Sequence, residues 1–582
     1  MTPEEFETLV RQGVSFEKKT IIAFDLTGRN LERAKCAGAK LQKIRLGKAN
    51  LKQSHFQGAS FTEVPMPEAN LEGANLAQAS LLLGDLRGAL LRGANLSGAK
   101  LIRADLSGAD LSGANLSGAI LFGANLDGAN LVEANLTEAR FDRASLCKAN
   151  LGKANVSKTS FNQALMEGSL FSEARIQESV FTSAKLSKAD LSTATVDKSI
   201  FVKADLRGTR LSNVMTSSIF DEASFEHPSL AEKNLRGSAI EETNLDGISL
   251  EGADLRHTSL RATKLQRANL RGAKLDHAIL HDCDLTGAIV KDASLNGCLA
   301  TNAILRGVDF SDQDLVMVMA QGADFEGANF TAARIERSSF DDANLHGANL
   351  RRTFFKQVLM RKAKIDGVVL DKTTFDRVDF SDVDLKCVQW IGLTLTQCLF
   401  MDVDMQDVLL RGCNLTGANF TRADLRRARF EECIASGANF LRANLELANL
   451  SGIVAKGAYF GDATLRQTNL ARANLRMCTF TDATLERVHL GYTKLMFARF
   501  ERAKAMGALF VHAALDHADF SQANVTNADF TNASLVDANL HRIKDDGARY
   551  SGANMNGVRR TDPDRLESEM WAPPKRRTRG EK

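Results

Sequence analysis

The sequence predicts an all-β solenoid, a coil with four sides stacked on copies of itself. Two observations carry this. Phe380, Phe400, Phe420, Phe440, Phe460, Phe480, Phe500 and Phe520 each follow the last by twenty residues. Between them Leu or Phe recurs every fifth residue, as in ANFTRADLRRARF. A beat of five fits neither the helical period of about 3.6 nor the strand period of 2. A stricter period of twenty laid over it returns every fourth pentad to the same place. In a solenoid each coil contacts only its neighbours, so 582 residues need not divide into ordinary globular domains.

Residues 1–15 read as a short capping helix. Thr2 suits the N-cap, Pro3 the first helical position, Glu5 the capping-box partner and Gly13 the end. Phe6, Leu9 and Val10 fall at helical spacing and are expected to cover the first coil. Solenoids need such caps because an open end exposes core and unpaired strand edges. The beat then runs over 16–560, starting Phe16, Ile21, Leu26, Leu31, Cys36 and Leu41. Two residues before each of these centres stands a small residue, mostly Ala; just before it stands Asn or Asp, and often Gly two after. The centre and the small residue are expected to point inward and the other three positions to face water. Asn, Asp and Gly are expected to supply the unusual dihedrals of tight corners.

Near 212–219 the register slips: centres end in 1 or 6 before it and in 0 or 5 after it. Phe141, Phe161, Phe181 and Phe201 are twenty apart and Phe220 follows by nineteen. One lost residue that keeps the Phe on its own side predicts a continuous, locally tightened coil, with Pro228 marking the same irregularity. From about 296 to 410 Val and Leu displace Ala at the small position, and Trp390 takes a centre. Ala at the centre behind a larger apolar residue, in Leu299–Ala300, Met319–Ala320, Ile434–Ala435 and Val454–Ala455, predicts local bulges or side swaps. The segment 561–582 leaves the repeat. Asp562 and Pro563 open a second expected capping helix, with Leu566, Met570 and Trp571 as its apolar stripe and KRRTRGEK as a basic disordered tail.

Repeats of the type ANLSGADLSGANLSGA resemble the pentapeptide-repeat family. The resemblance covers about 16–560 and implies a right-handed quadrilateral β-helix with four pentads per coil. The opening MTPEEFETLVRQGVSF followed by repeats is similar to family members that accompany bacterial type VI secretion spikes, where they are thought to load or connect effectors. Fold alone does not fix activity.

The composition excludes several classes. Lys+Arg 74 nearly balances Asp+Glu 71, a formal net charge of +3, so no global field selects nucleic acid. The N-terminus lacks a signal-peptide pattern and no apolar run reaches the roughly 18 residues of a membrane helix, which predicts a cytoplasmic protein with no membrane partner. Cys283, Cys298, Cys398, Cys413, Cys433 and Cys478 occupy the small inward position and are expected to be buried free thiols, whereas Cys147 and Cys387 follow their centres outward. His257 and His277 share an outward position in adjacent coils, near His281, without a consistent third ligand. No phosphate-binding glycine loop, nucleophile elbow or HExxH helix is present, and no catalytic residue, cofactor or metal is expected. Basic residues gather at 17–52 and again at Arg256, Arg261, Lys264, Arg267, Arg271 and Lys274.

The informative departures are apolar residues at outward positions. Leu82, Ile102 and Phe122 follow their centres directly and are twenty apart, with Ile120 beside them. A second set, just before the centres, holds Ile279, Leu299, Met319, Leu359 and Leu399. Stacked apolar residues mark a partner site where single ones do not. The expected function is a non-enzymatic protein-binding scaffold or adaptor, with secretion-spike or effector components as partners and self-association through an apolar face. The alternative is an acidic DNA mimic that occupies a topoisomerase such as gyrase.

Overall fold

The computed structural model describes residues 2–226 and 229–571. Two compact units, Met1–Val308 and Asp309–Lys582, are each built as a parallel β-solenoid.

Unit 1 opens on α1 (Pro3–Arg11). The Thr2 hydroxyl accepts from the Glu5 N–H at 3.2 Å and the Glu5 carboxylate accepts from the Thr2 N–H at 2.8 Å, closing a capping box. The Phe6 ring lies 4.6 Å from Phe16 and 5.8 Å from Phe24, so the apolar side of the helix covers the first coil. The strands are three residues long. β1 (Thr20–Ile22), β2 (Lys40–Gln42) and β3 (Ser60–Thr62) form one parallel sheet. β4 (Asn155–Ser157), β5 (Arg175–Gln177), β6 (Thr195–Asp197) and β7 (Val214–Thr216) form another. Elsewhere single bridges twenty residues apart pair the coils, as in Asn75↔Asn95 and Asn95↔Asn115.

Each pentad shows why five residues make one side. The Leu96 N–H donates to the Asn115 carbonyl at 2.7 Å and the Gly98 N–H to Ser117 at 2.8 Å, binding one coil to the next. The Ala99 N–H turns back to Leu96 at 3.0 Å and closes the corner. Ala99 and Leu96 are fully buried, and a buried Leu or Phe stabilises by roughly 1.5–3 kcal/mol. The corner residue, two after the centre, has positive φ: Gly98 at 63°, but equally Lys48 at 57°, Arg103 at 53° and Glu133 at 60°. No Val, Ile or Thr among the described residues adopts positive φ, because a branched Cβ does not fit the left-handed region. Asn and Asp are therefore not chiefly the corner residues the sequence suggested. Just before the centre, Asn95 and Asn115 accept from the N–H two residues on, at 3.1 Å each, and the Asn115 amide donates to Asn95 at 3.3 Å. They brace the outside wall with a side-chain ladder.

At the slip the coil stays continuous. Val196 pairs with Met215, and the Phe201 and Phe220 rings stack at 5.1 Å. What has been dropped is the positive-φ residue, since Leu211 and Met215 are both buried with only three residues between them. Ser212 turns inward instead, donating to the Ala194 carbonyl at 2.5 Å and accepting from the Val214 N–H at 3.0 Å. Pro228 lies outside the described residues.

In unit 2, β8 (Asp314–Val316), β9 (Arg334–Glu336), β10 (Phe354–Lys356), β11 (Thr374–Asp376) and β12 (Thr394–Thr396) make a five-stranded parallel sheet along one side. The Phe column from Phe380 to Phe520 stacks ring on ring, 5.4 Å at Phe380–Phe400 and 4.5 Å at Phe500–Phe520. The expected bulges are absent: Ala300, Ala320, Ala435 and Ala455 are buried at their centres, and Ile434 pairs in register with Val454. A small centre leaves the register intact because the backbone ladder, not the side chain, sets it. α2 (Pro563–Met570) is tied by Glu569, which receives Arg542 at 3.1 Å and faces His541 at 3.3 Å. Met570 and Trp571, expected to cover the last coil, stand 69% and 72% exposed. The KRRTRGEK tail lies outside the described residues.

Candidate interaction surfaces

One side of unit 1 carries Leu101, Leu121, Phe141, Phe161, Phe181, Phe201 and Phe220 inside, and is called here its Phe face. Leu82, Ile102 and Phe122 stand in line outside it, with the Leu83 N–H donating to the Ile102 carbonyl and Arg103 to Phe122. Leu82 is 47% exposed and its neighbour Leu83 73%, while Ile102 and Phe122 are half-buried. The line ends where the Arg143 guanidinium lies 5.7 Å from the Phe122 ring centre and where Asp142 follows in the column. Ile120 stands on the same face between Lys100 and Arg140, its two ladder partners.

The second expected set does not form one ladder. Ile279 and Leu299 pair directly. In unit 2, Ser339 separates Met319 from Leu359, and Asp379 separates Leu359 from Leu399. Met319 and Leu359 are therefore isolated exposed residues. A better column was hidden by the slip: Val180, Ile200, Ile219 and Ala239 pair in succession on the Phe face of unit 1, with Val202 beside them. The spacing of nineteen between Ile200 and Ile219 hides it from a search at twenty.

The basic stretch at 17–52 is partly neutralised. Lys48 pairs with Glu68 at 3.6 Å, Lys52 with Glu72 at 3.1 Å and Arg45 with Asp25 at 3.9 Å. In the second basic stretch Arg256 bonds Asp254 at 2.6 Å and Arg261 bonds Glu241 at 2.7 Å. The hydrogen bond from Arg256 holds the Asp254 carboxyl below the usual carboxylate range. Asp221 goes the other way, pushed up by burial against the lowering pull of the Glu241 N–H, whose hydrogen bond it accepts. Acidic residues do not stack without interruption down the outward corner column of unit 2 that carries these residues: Arg422 bonds Asp402 at 2.5 Å and Arg502 bonds Asp482 at 2.6 Å.

His257 and His277 stack at 5.1 Å, and no group of three or more His, Cys, Asp or Glu among the described residues is placed to hold a metal. The inward cysteines are buried, and burial pushes the Cys283, Cys298, Cys398 and Cys478 thiols up to about 12. Cys413 and Cys433 are also buried free thiols, whereas Cys387 is exposed and Cys147 half-buried.

A four-sided stack of pentads with these corners defines a class, and the comparisons agree with it. The family model described as "Pentapeptide repeats (8 copies)" matches residues 30–64, 69–108, 99–137, 124–163, 174–213, 218–256, 253–292, 293–331, 493–532 and 508–544. "Pentapeptide repeat region" matches 333–408 and 403–477. The chain belongs to the pentapeptide-repeat family.

Among solved structures it is similar to HetL, a pentapeptide repeat protein involved in heterocyst differentiation regulation from the cyanobacterium Nostoc sp., at 24% identity over 51% of this chain and 96% of HetL, with TM-score 0.21. It is also similar to QnrB1, a plasmid-mediated fluoroquinolone resistance protein, at 20% identity over 34% of this chain and 94% of that one, with TM-score 0.20. A thylakoid-lumen pentapeptide repeat protein of Arabidopsis thaliana is 29% identical over 19% of this chain and 67% of its own, with TM-score 0.11. No curated protein matches the chain in sequence. No helix among the described residues is long and apolar enough to cross a membrane.

Proposed function

We propose that the protein is a non-enzymatic scaffold that docks other proteins on the Phe face of unit 1. The observation that carries this is the pair of outward apolar columns there, Leu82–Ile102–Phe122 and Val180–Ile200–Ile219. None of these side chains is needed inside, where Leu101, Leu121, Phe181 and Phe201 already fill the coil. Covering such surface is worth roughly 25 cal/mol for each Å² removed from water, which makes it an anchor for a partner or a second copy. The likeness of MTPEEFETLVRQGVSF to type VI secretion companions makes spike or effector components the first partners to test, in a bacterial cytoplasm. The topoisomerase-mimic alternative needs an unbroken acidic column, and the alternating Arg–Asp pairs along unit 2 favour the scaffold over it.

The test is the double variant Ile102→Asp/Phe122→Asp. Its thermal melting should match the parent, while capture of a secretion component or self-association weakens tenfold or more. Unfolding of the variant places those residues in the core, and undiminished capture makes the patch incidental. Gyrase held equally by parent and variant promotes the mimic instead.

A further inference from the structure

The balanced charge of the whole chain hides a partition in unit 2. The side bearing β8–β12 continues as one parallel ladder through Thr394, Asn414, Ile434, Val454, Asn474 and Lys494. Around β9–β11 it carries Arg334, Arg337, Arg352, Lys356, Lys372 and Arg377. The carboxylates on the same side are Asp312 and Asp314 at the β8 end, the latter paired in the ladder with Arg334, then Glu336, taken up by Arg334, and Asp376, which accepts from Thr396 at 3.1 Å.

Farther along the ladder stands a second group, Lys456, Arg472, Arg476 and Lys494. No carboxylate among the described residues lies within ion-pair distance of any of the four. Glu432, before this group, is held by Arg411 at 3.7 Å, and Asp516, beyond it, accepts from Ser534 and from the Val536 N–H. Between the two groups the outward residues Thr394, Thr396, Asn414, Thr416 and Ser436 are uncharged. At the second group two rings flank the side: Tyr492, 61% exposed, and Phe497, 50% exposed. Each is stacked at 4.8 Å on a histidine of the next coil, His512 and His517, which holds it upright.

Two cation groups separated by uncharged ladder positions and the Arg411–Glu432 pair suit a particular polyanion. At roughly 4.8 Å per coil, each group spans about 10 Å, and the coils of Phe355 and Leu475 at their centres are about 29 Å apart. A duplex lying along a flat wall brings the same backbone back after one turn, about 34–36 Å, with the opposite strand crossing the wall in between. The width of each group covers the difference. A polypeptide carboxylate run has no reason to leave such a gap, and a single strand would favour an unbroken basic track.

We propose that the sheet side of unit 2 docks a nucleic-acid duplex laid along the coil axis, its backbone gripped by the two groups about one turn apart. The rigid wall reads spacing and charge, not base sequence.

The experiment is fluorescence anisotropy of the full chain with fluorescein-labelled duplexes of 24 and 8 base pairs. The 24-base-pair duplex should bind at 50 mM NaCl and lose tenfold or more in affinity by 200 mM. The 8-base-pair duplex, about 27 Å long at about 3.4 Å per pair and so short of the roughly 29 Å between the group centres, should bind at least tenfold more weakly. Arg352→Glu/Lys372→Glu and Arg476→Glu/Lys494→Glu should each cost tenfold or more without changing thermal melting. If a charge-reversed pair unfolds, the corresponding Gln pair replaces it. No binding, equal binding of the two lengths, or equal affinity for a 24-nucleotide single strand or for heparin would overturn the proposal.

Discussion

Two stretches of unit 1 turn the same corner in different ways. From about 91 to 150 the small inward residue is Ala, and its N–H closes the turn on the preceding centre, as in Ala109 to Leu106 at 3.0 Å and Ala114 to Leu111 at 3.0 Å. From 159 to 238 a column of hydroxyls does the work on one side of the coil, while Ala164, Ala184 and Ala204 keep the alanine turn on another. The Thr159 N–H donates to the Ser179 hydroxyl at 3.1 Å, Ser179 to Ser199 at 3.2 Å, Ser199 to Ser218 at 3.2 Å and Ser218 to Ser238 at 3.1 Å. The amide that would have closed the corner within its own coil is satisfied by the next one. The preceding residues open into the strands β4–β7, and it is in this stretch that a pentad has lost a residue. The lost residue itself belongs to the neighbouring corner, where Ala154, Ala174 and Ala194 make alanine turns and Ser212 supplies the closure on the short coil. Cysteine shares only the outgoing bond: Cys283 donates to the Leu260 carbonyl at 2.7 Å, as Ser179 donates to Val156 at 2.8 Å, while the Cys283 N–H still closes its own turn on Leu280.

The largest effect should come from changing the count of residues. A glycine inserted after Ser112, in the alanine stretch, should cost about 3 kcal/mol or more, because it throws the following centres out of register. The same insertion after Ser212 restores five residues there. It should cost only about 1 kcal/mol, for the inward hydrogen bonds of Ser212. Urea unfolding of both variants reads the contrast, and equal costs would mean that the short pentad at Ser212 gains nothing from a fifth residue.

Exchanging the corner residues should do less. Ser199→Ala removes the acceptor of the Ser179 N–H and should cost about 1–2 kcal/mol. The reverse change, Ala109→Ser, buries a hydroxyl where the N–H of its own turn is already satisfied, at about 1–3 kcal/mol. A neutral Ser199→Ala would mean that the corner reverts to the alanine turn, which amide hydrogen exchange at Ser179 would show.

The smallest effect at neutral pH belongs to the cysteine corners. Their folded thiols are raised to about 12, above the ordinary thiol value near 8.5, so their contribution is complete below pH 8.5. It is lost progressively as pH rises from there toward 12. Stability should be flat in this respect to about pH 8.5 and then decline, and Cys283→Ser/Cys298→Ser should blunt that decline. In native protein a thiol dye should label Cys387 first and leave Cys298 and Cys398 unlabelled.

The sequence by itself determined the coil. Period five over period twenty, the inward Leu, Phe and Ala, the capping helix at Thr2–Arg11 and the Phe201–Phe220 stack across the slip were all readable. Each depends on spacing along one chain and on which side chains leave water. The roles of the outward residues were not readable in that way. Asn95 looked like a turn residue and is a rung between coils. Leu299 and Met319 looked like bulges, while Val180, Ile200 and Ile219 escaped notice because the deletion shifts their spacing. The six cations around β9–β11 and the four near Tyr492 average away in a net charge of +3. Such residues acquire neighbours only when the coil closes and brings positions about twenty apart within one strand spacing. Their partners, and hence their charge balance and exposure, belong to the tertiary structure.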